Sequence, residues 1–142
     1  MNTMFENESA RHYISLLQEN ITRMASNCTS CKTWLITIVS ALCALQLANE
    51  AIKGYLWIAL IPTVLFLVLD AYYLGQEKRF RDIEAEFVEK IKSGEDVMPI
   101  LYTFKLGGKR TCRYFWKGLF SPSTWVMYAT VAMIIMMIIF VL

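Results

Sequence analysis

Residues 55–74, YLWIALIPTVLFLVLDAYYL, form an apolar stretch in which only Asp70 carries a charge. At ~1.5 Å per residue, a helix over this stretch is ~30 Å long and matches the hydrocarbon thickness of a bilayer. Two further apolar stretches, residues 33–48 and 125–142, would be ~24 Å and ~27 Å long as helices. A chain of 142 residues with 56% hydrophobic composition has little polar surface to keep three such helices in a soluble globule. The sequence therefore predicts an all-α membrane protein with three transmembrane helices.

The basic residues predict how these spans are oriented, because Lys and Arg near span ends stay on the cytoplasmic side. Basic residues precede the first span and fill the region between the second and third, whereas Lys53 alone lies between the first two. We expect a multi-pass membrane protein with a cytoplasmic N-terminus and an extracytoplasmic C-terminus. The predicted parts are a cytoplasmic amphipathic helix (1–32), a transmembrane hairpin (33–75), a cytoplasmic helix with a basic-aromatic interfacial segment (76–122) and a C-terminal transmembrane helix (123–142).

Two apolar stripes predict helices outside the spans. The first stripe lines one face of a helix over about residues 9–26 and consists of Tyr13, Leu17, Ile21 and Met24. The second continues the helix of residues 55–74 into the cytoplasm and consists of Phe80, Ile83, Phe87 and Ile91. Ser93-Gly94 predicts the end of this long second helix, and Pro62 a bend near its start. Because a lone helix of this kind is unstable in water, we expect the second stripe to contact the N-terminal helix or a neighbouring subunit.

Asp70 is the first candidate for function, because stranding a charge in lipid costs a few kcal/mol. It shares a helical face with Tyr73 and Glu77, and the three are candidate pore or gating residues. The alternative is a structural role, in which the carboxylate pairs with Lys32, Arg79 or a tyrosine hydroxyl between helices.

Other segments predict contacts. Small residues four apart in the first span, Ser40, Ala44 and Ala48, favour close packing against another helix. The last span reads as a lipid-facing anchor that begins at Ser123 or Thr124. Before it, basic and aromatic residues alternate, which favours contact with lipid headgroups over the alternative of nucleic-acid binding. The candidate headgroup contacts are Lys105, Lys109, Arg110, Arg113, Trp116 and Lys117.

Catalytic and metal-binding patterns are lacking in the sequence. Cys28 and Cys31 form a C-x-x-C, but a zinc site needs two further ligands and His12 is the one histidine. No nucleophile, nucleotide or paired-histidine motif is present. We expect neither enzymatic activity nor a cofactor.

One resemblance carries a functional expectation. The chain resembles small bacterial membrane proteins encoded beside anti-phage defence genes, and is similar in layout to SLATT-type two-span effectors over residues 10–90. The residues that carry the resemblance are Tyr13-Ile14, Leu17, the segment 23–27 (RMASN), the segment 70–74 (DAYYL), Glu77, Arg79, Phe80 and Arg81. The third span departs from the two-span plan.

The resemblance implies a membrane effector that forms homo-oligomers and permeabilises or depolarises the inner membrane when a soluble sensor protein is activated. Two alternatives remain open. One is a non-toxic membrane anchor or accessory subunit that recruits a soluble partner, and the other is an oligomeric ion channel or transport accessory.

Overall fold

The chain folds into helices. The computed structural model describes residues 2–48, 55–102 and 109–141, and every element in these ranges is helical. These ranges contain four α-helices: α1 (Asn2–Ala48), α2 (Leu60–Ser93), α3 (Lys109–Leu119) and α4 (Pro122–Val141). Short 3-10 helices, Tyr55–Ala59 and Met98–Ile100, lie before and after α2.

Among the residues that the structure describes, three segments are long and apolar enough to cross a membrane: Glu8–Gln46, Leu56–Ser93 and Pro122–Phe140. They lie in α1, α2 and α4, and many large apolar side chains on their surfaces are exposed, as lipid contact requires. This confirms the prediction of an all-helical chain with three candidate spans, and it is consistent with a membrane protein.

α1 is one continuous helix of 47 residues, ~70 Å long. The sequence predicted a separate helix over residues 9–26, and the structure corrects this, since the predicted boundary after Lys32 falls inside the helix. Residues 27–32 contain neither Pro nor Gly. The hydroxyls of Thr29 and Thr33 donate to the carbonyls four residues earlier, at 3.2 and 3.0 Å. Because these polar side chains are satisfied within the helix, the polar segment does not interrupt it.

α2 ends where the sequence predicted. Gly94 adopts a left-handed conformation (φ 74°), and its N–H donates to the carbonyl of Ile91 at 3.2 Å. At the other end, the helix predicted from residue 55 starts with the 3-10 turn. Pro62, where a bend was predicted, lies in the first turn of α2, where the missing N–H has no helical partner to lose.

Two apolar clusters hold the long helices together. The span core joins α1, the first 3-10 helix and α4, and consists of Leu35, Val39, Leu56, Ala59, Tyr128 and Ile135. The tail core joins the opposite end of α1 to the end of α2 and consists of Ala10, Tyr13, Leu17, Phe80 and Phe87. In the tail core the rings of Tyr13 and Phe87 meet edge to face, 4.7 Å between centroids. α1 therefore contacts α2 well beyond the apolar stretches of residues 33–48 and 55–74.

α4 is more than the lipid-facing anchor that the sequence predicted. Thr124, Tyr128 and Ile135 are buried on one of its faces, while Val126, Met133 and Phe140 on other faces are exposed. The helix also begins at Pro122, slightly before the predicted start at Ser123 or Thr124. Proline suits this first position because its fixed φ is already helical.

Candidate functional site: a buried ion pair where three helices meet

The site centres on an ion pair between α1 and α2. The Asp70 carboxylate is fully buried, and Lys32 Nζ lies 3.1 Å from both of its oxygens. The contact to Oδ1 is a hydrogen bond, whereas Oδ2 has ion-pair distance but no hydrogen-bond partner of good geometry. The Lys32 side chain is 25% exposed, so its ammonium keeps partial access to the surroundings. Of the partners predicted for Asp70, Lys32 is the one that forms an ion pair with it.

α4 contacts α2 close to the ion pair through Tyr128. The Tyr128 hydroxyl donates to the carbonyl of Phe66 at 2.9 Å. Phe66 precedes Asp70 by four residues and so lies one helical turn away on the same face of α2. The ring of Tyr128 is 4% exposed. The ion pair therefore lies close to the place where α1, α2 and α4 come together.

Two cysteines complete the α1 side of the site. Cys28 and Cys31 are free thiols, 5% and 7% exposed. Cys28 Sγ donates to the backbone carbonyl of Asp70 at 3.8 Å. The two thiols thus pack beside the ion pair as small, weakly polar side chains. Within the described ranges, no group of three or more His, Cys, Asp and Glu side chains is placed to hold a metal.

These thiols continue the apolar stripe that was predicted for residues 9–26 of the N-terminal helix. The stripe of the N-terminal helix runs on without interruption along one side of α1, which would have pointed to both cysteines and to the span core. We call it the α1 seam, and its members are Tyr13, Leu17, Ile21, Met24, Cys28, Cys31, Leu35, Val39, Leu42 and Gln46. All ten are buried or half-buried.

The other candidate gating residues have their own partners. Glu77 is 9% exposed and forms an ion pair with Arg81 at 2.7 Å, one turn along α2. Tyr73 is half-buried and its ring meets that of Tyr72 edge to face, 5.6 Å between centroids. Asp70 thus bridges two helices, whereas Glu77 pairs within its own helix.

The residues predicted for contacts with partners or other copies fall into two sets. Phe80, Ile83 and Phe87 pack against α1 of the same chain in the tail core, while Ile91 is 41% exposed. Ser40, Ala44 and Ala48 are exposed on α1. Ser40 and Ala44 line a groove of about 1030 Å³ between α1 and α4. The groove walls are mainly apolar, with Val126, Thr130 and Ile134 among the residues from α4.

The basic-aromatic segment forms α3, which lies on α2. Gly75 and Gly118 allow this contact: a Cβ on Gly75 would lie 2.6 Å from the Tyr114 carbonyl oxygen, and one on Gly118 would overlap the Ala71 carbonyl oxygen. Polar contacts hold the rest of the interface, since the Tyr114 hydroxyl donates to Asp82 Oδ2 at 2.6 Å.

The candidate headgroup contacts are placed on α3 or next to it. Lys105 lies outside the described residues, and Lys109 and Arg110 are the first two residues of α3. Arg113 and Lys117 are exposed, and Trp116 is 49% exposed. The sequence did not reveal that this segment is also fastened to α2 through its backbone.

Comparison of the chain with protein-family models, with curated proteins and with solved structures finds no match.

Proposed function

We propose that this protein is a membrane effector that assembles into oligomers and raises the permeability of its membrane, with the Lys32–Asp70 pair holding the closed state. The fully buried Asp70 carboxylate carries the proposal. Moving a carboxylate out of water costs several kcal/mol, and apolar side chains of similar size often hold helices together at least as well. Ionisable groups within spans mark ion pathways and switches for this reason.

The inside of a single chain is filled, so the pathway would form between copies. Leu35 and Ile135 are 0% exposed and Tyr128 is 4% exposed where the three helices meet. A water-filled path would therefore require several chains, arranged around a shared axis. The exposed small residues Ser40 and Ala44 favour α1 as a contact between copies, because small side chains let membrane helices approach closely.

The same helices connect the ion pair to the tail core, where a sensor would act. Tyr13 and Lys32 belong to one helix and are ~28 Å apart along its axis. On α2, the helix is continuous from Asp70 to Phe87. A partner that changes the contact between the helices at Tyr13 and Phe87 would thus change the distance between Lys32 and Asp70. The resemblance to SLATT-type effectors implies that this partner is a cytoplasmic protein that senses phage infection.

The alternative role as a non-toxic anchor has less support. It needed the stripe of Phe80, Ile83 and Phe87 to recruit a soluble protein, and α1 of the same chain covers these residues. Ile91, at 41% exposed, is the most accessible residue of the stripe.

Membrane potential in living cells tests the proposal. The chain is expressed in bacteria alone and with its genomic neighbours, while a potential-sensitive dye and growth are followed before and after phage challenge. We expect depolarisation and growth arrest with the neighbours on challenge. Asp70→Leu should depolarise cells without a trigger, because Lys32 loses its partner, and Asp70→Asn should do so less because it keeps a hydrogen-bond acceptor.

Glu86→Gln is the matched control, because Glu86 also pairs with a lysine at 3.0 Å but has a 65% exposed side chain. It should behave like the wild type. Normal potential and growth under every condition, with the protein shown to be in the membrane, would overturn the proposal. Equal effects of Asp70→Leu and Glu86→Gln would remove the ion pair from it.

A further inference from the structure

The exposed side of α3 combines cations with aromatic rings. We call it the outer face of α3 and define it by Arg113, Trp116, Lys117 and, just after the helix, Phe120. Arg113 and Lys117 are exposed, and Trp116 and Phe120 are 49% and 63% exposed. We propose that this face binds the anionic headgroups of phospholipids in the leaflet beside it. This inference does not depend on whether the protein forms a pore.

The position of α3 relative to the spans is fixed at its C-terminal end. Gly118 lies against the backbone at Ala71 and Gly75, next to Asp70 and the end of the apolar stretch of α2. The carbonyl of Gly118 also accepts hydrogen bonds from the N–H of Ser121 (3.1 Å) and the hydroxyl of Thr124 (3.2 Å). The apolar helix α4 follows at once, at Pro122. α3 is therefore held at the level where two spans leave the bilayer.

The charges on α3 suit anionic headgroups. The helix KRTCRYFWKGL contains four basic residues and no acidic one. Lys117 is partly engaged within the chain, since its Nζ is 3.9 Å from Asp82 Oδ2 and 5.0 Å from the centroid of the Tyr114 ring. Arg113 is the more open cation, and a guanidinium can bind a phosphate through two parallel hydrogen bonds.

The aromatic rings argue for the membrane surface rather than for another anionic partner. Trp116 and Phe120 stack, with 5.7 Å between centroids and 17° between planes. Trp125, at the start of α4, is 55% exposed. Aromatic rings gather at headgroup depth, where one side is apolar and the other wet. A nucleic acid, which also binds cations and rings, would have to lie along the bilayer surface to reach them.

Lipid selectivity of the full-length protein tests the inference. The protein is held in micelles with equal amounts of phosphatidylglycerol and phosphatidylcholine, and native mass spectrometry gives the ratio of the two bound lipids. The wild type should prefer phosphatidylglycerol. Arg113→Gln should lower this preference about fivefold, the loss expected for one cation at an anionic surface, and Arg113→Gln with Lys117→Gln should lower it further. Arg113→Gln leaves the described contacts of Lys117 with α2 intact, so its result is separable from misfolding.

The matched control for the double variant is Arg11→Gln with Lys92→Gln. It also removes two positive charges, from exposed sites near the start of α1 and the end of α2. It should keep the wild-type lipid ratio. An unchanged ratio in Arg113→Gln, or an equal loss in the control, would overturn the inference. Binding of a labelled single-stranded oligonucleotide is measured in parallel. If Arg113→Gln lost this binding and kept the lipid ratio, the face would bind nucleic acid and the inference would be overturned.

Discussion

Replacing Lys32 by Met should destabilise the protein far more than its place on a long helix suggests. The substitution keeps an unbranched side chain that is one heavy atom shorter, and it leaves the Asp70 carboxylate buried, with 0% exposure and without its cation. An uncompensated buried charge of this kind costs about 3–5 kcal/mol. Because Lys32 is 25% exposed, solvent or headgroups can approach the vacated position, so we expect a loss near the lower limit, about 3 kcal/mol.

The protein offers a matched comparison for this prediction. Lys90 pairs with Glu86 at 3.0 Å and is 28% exposed, almost the same as Lys32, but its carboxylate partner is 65% exposed. Lys90→Met should therefore cost about 0.5 kcal/mol or less, as is usual for an ion pair within one exposed helix. The difference between the two lysines measures the effect of burying the carboxylate.

The assay is the free energy of unfolding, followed by circular dichroism as sodium dodecyl sulfate is added to protein in non-ionic micelles. The double variant Lys32→Met with Asp70→Asn removes both charges and should recover about 2 kcal/mol relative to Lys32→Met. The reasoning would be refuted if Lys32→Met cost no more than Lys90→Met. It would also be refuted if the double variant were no more stable than Lys32→Met, since the loss would then come from lost packing rather than from an unpaired charge.

Three further predictions concern the contacts between helices. Gly118→Ala should separate α3 from α2 and speed hydrogen exchange of the α3 amides, because a Cβ at this position meets the backbone of α2. Gly94→Ala is the control, since nothing lies within 4 Å of a Cβ there. It should lower the free energy of unfolding by roughly 1 kcal/mol, the cost of alanine in a left-handed conformation, and leave the α3 amides protected. Phe87→Ala should lower the free energy of unfolding by about 3–5 kcal/mol, while the exposed Ile91→Ala changes it by less than about 1 kcal/mol; equal losses would mean that the tail core does not form. Tyr128→Phe should cost about 1 kcal/mol for the lost hydrogen bond to α2, and no change in unfolding would contradict the contact of α4 at this level.

Features with strong local contrast could be predicted from the sequence. Three apolar runs separated by charged segments predicted the candidate spans. Gly94, which follows a periodic apolar stripe, predicted the end of α2. Lys32 was among the proposed partners of Asp70, and it stands directly before the first apolar stretch. Each of these depends on a residue type or a period that can be recognised within a short window.

Features without local contrast were missed. α4 is apolar on every side, so its sequence gives no sign that Tyr128 and Ile135 are buried. The contact of Gly118 with Ala71 joins positions far apart in the chain, and one sequence contains no signal for it. The polar residues 27–32 looked like a break, although threonines that donate to their own helix allow α1 to continue.

The spacing of the α1 seam has a consequence for the shape of the helix pair. From Tyr13 to Gln46 the seam takes nine steps over 33 residues, which is about 3.7 residues per step. A seam that repeats every 3.5 residues makes helices coil around each other with a left-handed twist, whereas a repeat of about 3.67 gives a slight right-handed one. Since an undistorted helix has 3.6 residues per turn, α1 can keep one side against its neighbours over its whole length while remaining almost straight. Bending or rotating α1 near Tyr13 therefore displaces the entire seam at once, because a helix this close to straight has little superhelical winding to absorb the motion.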